Sequence, residues 1–129
     1  MKDATRTLCE RIAGVTHDDL TPDAIIRARQ LFLDGLAVAV AGTIQEEPPA
    51  ILAAHAKEMG GIEASTIIGF DFKTTPVQAA YVNGSSMHVL DFEPMWSPAN
   101  HQLSTSLPGI LALAEYRDLD GREAATALV

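Results

Sequence analysis

The feature that most restricts this fold is the stretch Leu31–Gly42, LFLDGLAVAVAG, which is apolar on nearly every side of a helix. Upstream, Thr21-Pro22 is a helix start. It offers a capping hydroxyl, a proline at the first helical position, and Asp23 at the positive end of the dipole. The helix that follows sets Ile25, Phe32, Leu36 and Val40 on one face, and Gly42 is placed to stop it. It reads as a central, buried helix. Asp34 within it needs hydrogen-bonding partners, because an unpaired buried carboxylate is costly. Its plain reading is a satisfied structural aspartate.

The rest of the chain is mostly helical in pattern. Residues 3–15 place Leu8, Ile12 and Val15 at helical spacing. Pro48–Met59 is a shorter helix closed by Gly60-Gly61, with His55 and Lys57 on its solvated side. Thr75-Pro76 repeats the cap-plus-proline start, and the helix it opens carries Val77, Tyr81, Gly84 and His88 on one stripe. Small residues there, Ala79, Ala80, Gly84 and Ser85, admit a closely packed neighbour. Leu107-Pro108 opens a further helix, GILALAEYR, and Asp120-Gly121 starts REAATALV. ASTIIGF is the one strand-like run, and DFKTT is compatible with a returning strand, giving a short β-hairpin near residues 65–74. The expected fold class is mostly α. The helical pattern is still running at Val129, so the reading expects a chain truncated at its C-terminus.

Composition narrows the function classes. The 129 residues suffice for one domain with a real core. Hydrophobic residues are 47% but aromatics only 5%, so small aliphatic side chains carry the burial, and some of that apolar surface is expected to face a missing partner or further chain. Seventeen acidic against nine basic residues give a net charge of −8, with no basic stripe; a nucleic-acid partner is not expected. Cys9 is the single cysteine, which excludes an intramolecular disulfide and a CxxC pair. The N-terminus lacks the apolar core of a secretory signal, and Leu31–Gly42 is too short to span a bilayer. The expected setting is cytoplasmic, with no membrane partner.

Chemistry-bearing side chains gather in one loop, HVLDFEPMWSPANHQLSTSLPG, from His88 to Gly109. If helicity persists beyond His88, Asp91 points the same way as that histidine. Pro94 and Pro98 then stiffen the chain before Asn100, His101 and Gln102. A histidine paired with a carboxylate moves protons near neutral pH, so His101 and Asp91 are the candidate catalytic residues. Asn100, Gln102, Ser104 and Thr105 offer hydrogen bonds suited to carboxylate oxygens, and Trp96 can wall off water. The competing reading is a polar loop that satisfies itself. His88, Asp91, Glu93 and His101 make a formal two-histidine, two-carboxylate set, but their spacing matches no standard metal motif, and no metal is assigned. Nucleotide-binding glycine loops and a GxSxG nucleophile motif are absent from the sequence.

Four pieces, LFLDGLAVAVAG, AAYVNGSSMHVLDFE, PANHQLSTSLPGILALAE and DGREAATALV, resemble in order and spacing the N-terminal part of the MmgE/PrpD family. That group includes 2-methylcitrate dehydratase and cis-aconitate decarboxylase. The resemblance implies residues 1–129 as the N-terminal segment of a multi-helix domain that forms one wall of an active site. It further implies a cofactor-independent lyase or isomerase, acting on small di- or tricarboxylates by taking a proton next to a carboxylate. Asp91 matches a family active-site aspartate, and His101 matches the active-site histidine that follows it. Asn100, Gln102, Ser104, Trp96 and His88 fall where substrate contacts or their supports are expected. Further family histidine and lysine groups fall beyond Val129, so this piece is expected to be inactive alone, and a homodimer is the expected assembly. Where many relatives read DFDDT, this chain reads DFEPM. Met95 loses a hydroxyl and Pro94 reshapes the loop, which argues against 2-methylcitrate itself. His88 is read either as a partner for Asp91 or as a histidine favoured at a helix C-terminus. Glu93 and Trp96 lean towards loop structure. The reading from a different class is a non-catalytic helical interaction module.

Overall fold

The computed structural model describes residues 3–95, 97 and 100–129. Trp96 and Pro98, singled out above, lie outside the described residues. Among the described residues there are six α-helices and one small hairpin: α1 (Ala4–Gly14), α2 (Pro22–Gln45), α3 (Pro48–Met59), β1 (Ser65–Thr66), β2 (Lys73–Thr74), α4 (Pro76–His88), α5 (Gln102–Arg117) and α6 (Gly121–Leu128). A single 3-10 turn, His17–Asp19, joins α1 to α2. The mostly helical expectation holds, and so does the hairpin.

Helix starts follow local chemistry. The hydroxyls of Thr21 and Thr75 accept the backbone N–H groups of Ala24 and Gln78, and a proline follows each. Asp120 caps α6 in a capping box with Glu123. Gly60, at φ 67°, takes the conformation that ends α3.

The centre of the fold is α4, not α2. Helix α4 packs most extensively on α5 and α2 and also receives α3. One apolar cluster unites Ala53, Ala56, Ile67, Ala79, Val82 and Ala112; a second unites Ala39, Met87, Leu103 and Leu107. Both draw on α4, and Ile67, Met87 and Leu107 are fully enclosed. Burial of each such side chain contributes about 1.5–3 kcal/mol.

Helix α2 buries a stripe of small residues, Ala28, Gly35, Ala39 and Gly42, together with Val38. Leu36 and Val40, expected on the buried face, are exposed, as are Leu33 and Ile44. Close approach explains the choice. A Cβ at Gly42 would clash with the Ser86 carbonyl, and one at Gly35 would lie 2.6 Å from Leu107 Cδ2. Gly42 therefore admits α4 and does not end the helix, which runs on to Gln45. Asp34 on the same helix is half-buried, and no buried side-chain polar atom lacks a partner among the described residues.

Pro108 also departs from expectation. It lies inside α5, which begins six residues earlier at Gln102. Proline has no N–H to offer the Ser104 carbonyl one turn back. Gly84 of α4 makes the room this needs: a Cβ there would sit 3.2 Å from that carbonyl oxygen and 3.8 Å from the Pro108 ring.

The hairpin pairs Ser65 with Thr74 and Thr66 with Lys73. Two residues per strand are too few to stand alone. Buried Asn83 of α4 fastens the first strand, accepting the Ile68 N–H at 2.8 Å and donating to the Thr66 carbonyl at 3.0 Å. The Ser65 hydroxyl donates to the Ala112 carbonyl of α5 at 2.8 Å. No helix among the described residues is long and apolar enough to cross a membrane.

Candidate functional site

Helix α4 ends at His88, and the chain turns at Asp91, whose φ of 57° is left-handed. Helicity does not persist to Asp91, so His88 and Asp91 do not share a helix face. The Asp91 N–H closes the turn on the His88 carbonyl at 2.8 Å. Aspartate tolerates this conformation better than most side chains. The turn sends Glu93 inward and leaves the Asp91 carboxylate in solvent, 72% exposed.

Glu93 is the pivot of the site. Its side chain is 0% exposed. Oε2 accepts the backbone N–H of Ser104, in the first turn of α5, at 2.6 Å. Oε1 faces the Nδ1 of His88 at 2.8 Å and the Nδ1 of His101 at 3.2 Å. The two imidazoles meet edge to face with centroids 4.5 Å apart. Burial pushes the Glu93 pKa up, but hydrogen bonds from Ser104 and His88 and the charge on His101 outweigh it, and the net value lies below the ordinary one. Glu93 is therefore an anion near neutral pH, held at the positive end of α5. An anionic acceptor fixes the tautomer of its partners: each ring turns an Nδ1–H towards Glu93 and leaves Nε2 for other work.

His101 spans two carboxylates. Its Nδ1 meets Glu93, and its Nε2 lies 3.5 Å from Asp91 Oδ1, within ion-pair range. The expected Asp91–His101 pair is thus brought together, at the mouth of the site. His88 is half exposed, and its carboxylate partner is Glu93. Of the remaining residues singled out, Ser104 is buried with its N–H committed to Glu93, while Asn100 and Gln102 are exposed. The Thr105 hydroxyl turns back to the carbonyls of His101 and Gln102 at 3.0 Å. Sequence reasoning leaned towards loop structure for Glu93 and grouped it with His88, Asp91 and His101 only in a metal set it did not assign. The available signal was the second of two acids between two histidines, five residues after one and eight before the other.

The site is thus a helical domain's buried carboxylate set under two histidines, an arrangement able to hold protons between its members. The model for the MmgE/PrpD N-terminal domain matches residues 6–129, and the chain belongs to the MmgE/PrpD family. It is 34% identical over 116 residues to the cis-aconitate decarboxylases of Mus musculus and Homo sapiens, a match covering 89% of this chain and 24% of each relative. The cis-aconitate decarboxylase of Aspergillus terreus is 30% identical over 113 residues, covering 86% of this chain and 23% of that one. These relatives are lyases by name. The chain spans about a quarter of the length of the curated relatives it matches.

Proposed function

We propose that this chain supplies one wall of a lyase site that moves a proton on the carbon next to a carboxylate in a small di- or tricarboxylate. Family membership and the decarboxylase names of the relatives support the reaction class. The observation that carries the reading is the placement of His101, with one ring nitrogen on buried Glu93 and the other towards exposed Asp91. Nδ1 is held by an anion, so Nε2 is the atom that faces substrate. His101 Nε2 accepts or delivers the proton, and Asp91 orients the ring or shares the transfer. Glu93 stabilises the imidazolium formed, and His88 offers a second Nε2 beside it. Asn100 and Gln102, both exposed beside His101, reach for substrate oxygens.

The complete gene product, incubated with di- and tricarboxylates in deuterated water, tests this. His101→Ala is expected to lower exchange about 10²–10⁴-fold, the usual worth of a general base, with little change in melting temperature. Asp91→Asn is expected to lower it less. Unchanged exchange in both variants would remove the assignment.

A non-catalytic docking module is the second reading. It is favoured by the apolar side chains of α2 left in solvent, Leu33 at 72% and Ile44 at 78% exposed. Stoichiometric partner binding without turnover on any carboxylate would select it.

A further inference from the structure

We infer that His88, Glu93 and His101 form a binding site for one divalent transition cation of the zinc type. The inference rests on the geometry of these side chains and not on the lyase reading. One ligand atom from each of the three residues lies within 4.8 Å of the others. Glu93 Oε1 is 2.8 Å from one imidazole Nδ1 and 3.2 Å from the other. A tetrahedral cation with bonds of about 2.0–2.1 Å needs ligand atoms about 3.3 Å apart, so small ring rotations open the space.

The surroundings match what such a site requires. Two imidazoles and one carboxylate are a donor set that suits this class of cation. The Ser104 N–H occupies Oε2, so Glu93 offers a single oxygen. On the far side of His101, Nε2 faces Asp91 at 3.5 Å, where a carboxylate steadies a metal-bound ring. The His88 side chain is 52% exposed, which gives the cation a path from solvent and a water in its fourth position. On binding, Nδ1 of each ring gives up its hydrogen bond to Glu93, and the ring proton resides on Nε2. Bound cation and proton exchange between His101 and Glu93 are then mutually exclusive.

Protein stripped with a chelator and titrated with Co²⁺ and then Zn²⁺ tests the site without any measurement of turnover. One Co²⁺ per chain is expected, with visible d–d absorption that Zn²⁺ abolishes. His88→Ala removes an exposed ring and leaves the Ser104 and His101 ties of Glu93, so it should fold and should bind about tenfold more weakly or worse. Asp91→Asn should also weaken binding about tenfold, as loss of an outer partner does. The remaining two histidines serve as controls, and His17→Ala and His55→Ala should bind as the parent does. No Co²⁺ uptake, or His88→Ala binding as tightly as the parent, would overturn the site, as would loss of binding in either control.

Discussion

Two hydrogen-bonded carboxylates, one buried and one partly exposed, bracket helix α5, and they are held in similar ways with different partners. Glu93 accepts the Ser104 N–H at the start of the helix at 2.6 Å; Glu115, in its last turn, accepts the Thr66 N–H at 2.6 Å and the Thr66 hydroxyl at 2.7 Å. Burial pushes both pKa values up, and hydrogen bonds and nearby positive charge bring both below the ordinary glutamate value. The partners differ. Glu115 is 32% exposed and paired with Lys73 at 2.6 Å, whereas Glu93 is sealed beneath two imidazoles. Lysine is a donor only, so Glu115 serves as a tie between hairpin and helix. Each imidazole carries a second ring nitrogen beyond the one that meets Glu93, so the same device there leaves two Nε2 atoms turned to other partners.

The largest test of this contrast is removal of each carboxylate. Glu93→Ala leaves a buried N–H and two ring donors without their acceptor and should cost about 2–3 kcal/mol in urea unfolding. Glu115→Ala leaves groups that water can reach and should cost about 1 kcal/mol. Equal losses would break the comparison.

Acid titration comes next in size. Each carboxylate has a folded pKa below its unfolded value, so its stabilisation is present above the unfolded pKa and is lost as pH falls through the lower, folded one. Stability should therefore drop as pH falls below the ordinary glutamate value of 4.5. Glu93→Gln and Glu115→Gln should each flatten that drop, and a slope unchanged in both variants would count against the two anions as its source.

Salt gives the smallest effect. Raising ionic strength from about 0.1 to 1 M shortens the screening length from about 10 to 3 Å. The coupling between Lys73 and Glu115 in a double-mutant cycle should fall by a few tenths of a kcal/mol. Coupling of Glu93 to His101 should change less, because the glutamate is out of solvent.

Much of the fold was legible from local chemistry. Threonine-proline pairs marked the starts of α2 and α4, and Asp120 marked α6, because a capping hydroxyl or carboxylate acts on N–H groups only a few residues away. The limits of α3 followed from its prolines and Gly60. Pro108 was misread as a helix start because its cost depends on a distant residue, Gly84, which accommodates the ring and the carbonyl it strands. Within the site, Asp91 and His101 were legible as a pair, and the central role of Glu93 was not. Direction into the interior was set by the left-handed turn at Asp91 and by the Ser104 amide, neither of which has a signature in side-chain spacing.

By itself, then, the sequence determined the helical elements, their caps, the short hairpin and the loop where polar side chains collect. The helices and their caps depend on interactions within a turn or two of chain, whereas the hairpin, legible as a strand-like run, is held in place by Asn83, Ala112 and Glu115 from α4 and α5. Tertiary structure alone decided that α4 and not α2 is central, that the glycines of α2 are points of contact, and that Glu93 is the anion under both histidines. Hydrophobicity marks which residues tend to leave water, but which faces meet is settled by shape and close approach between segments far apart in the chain.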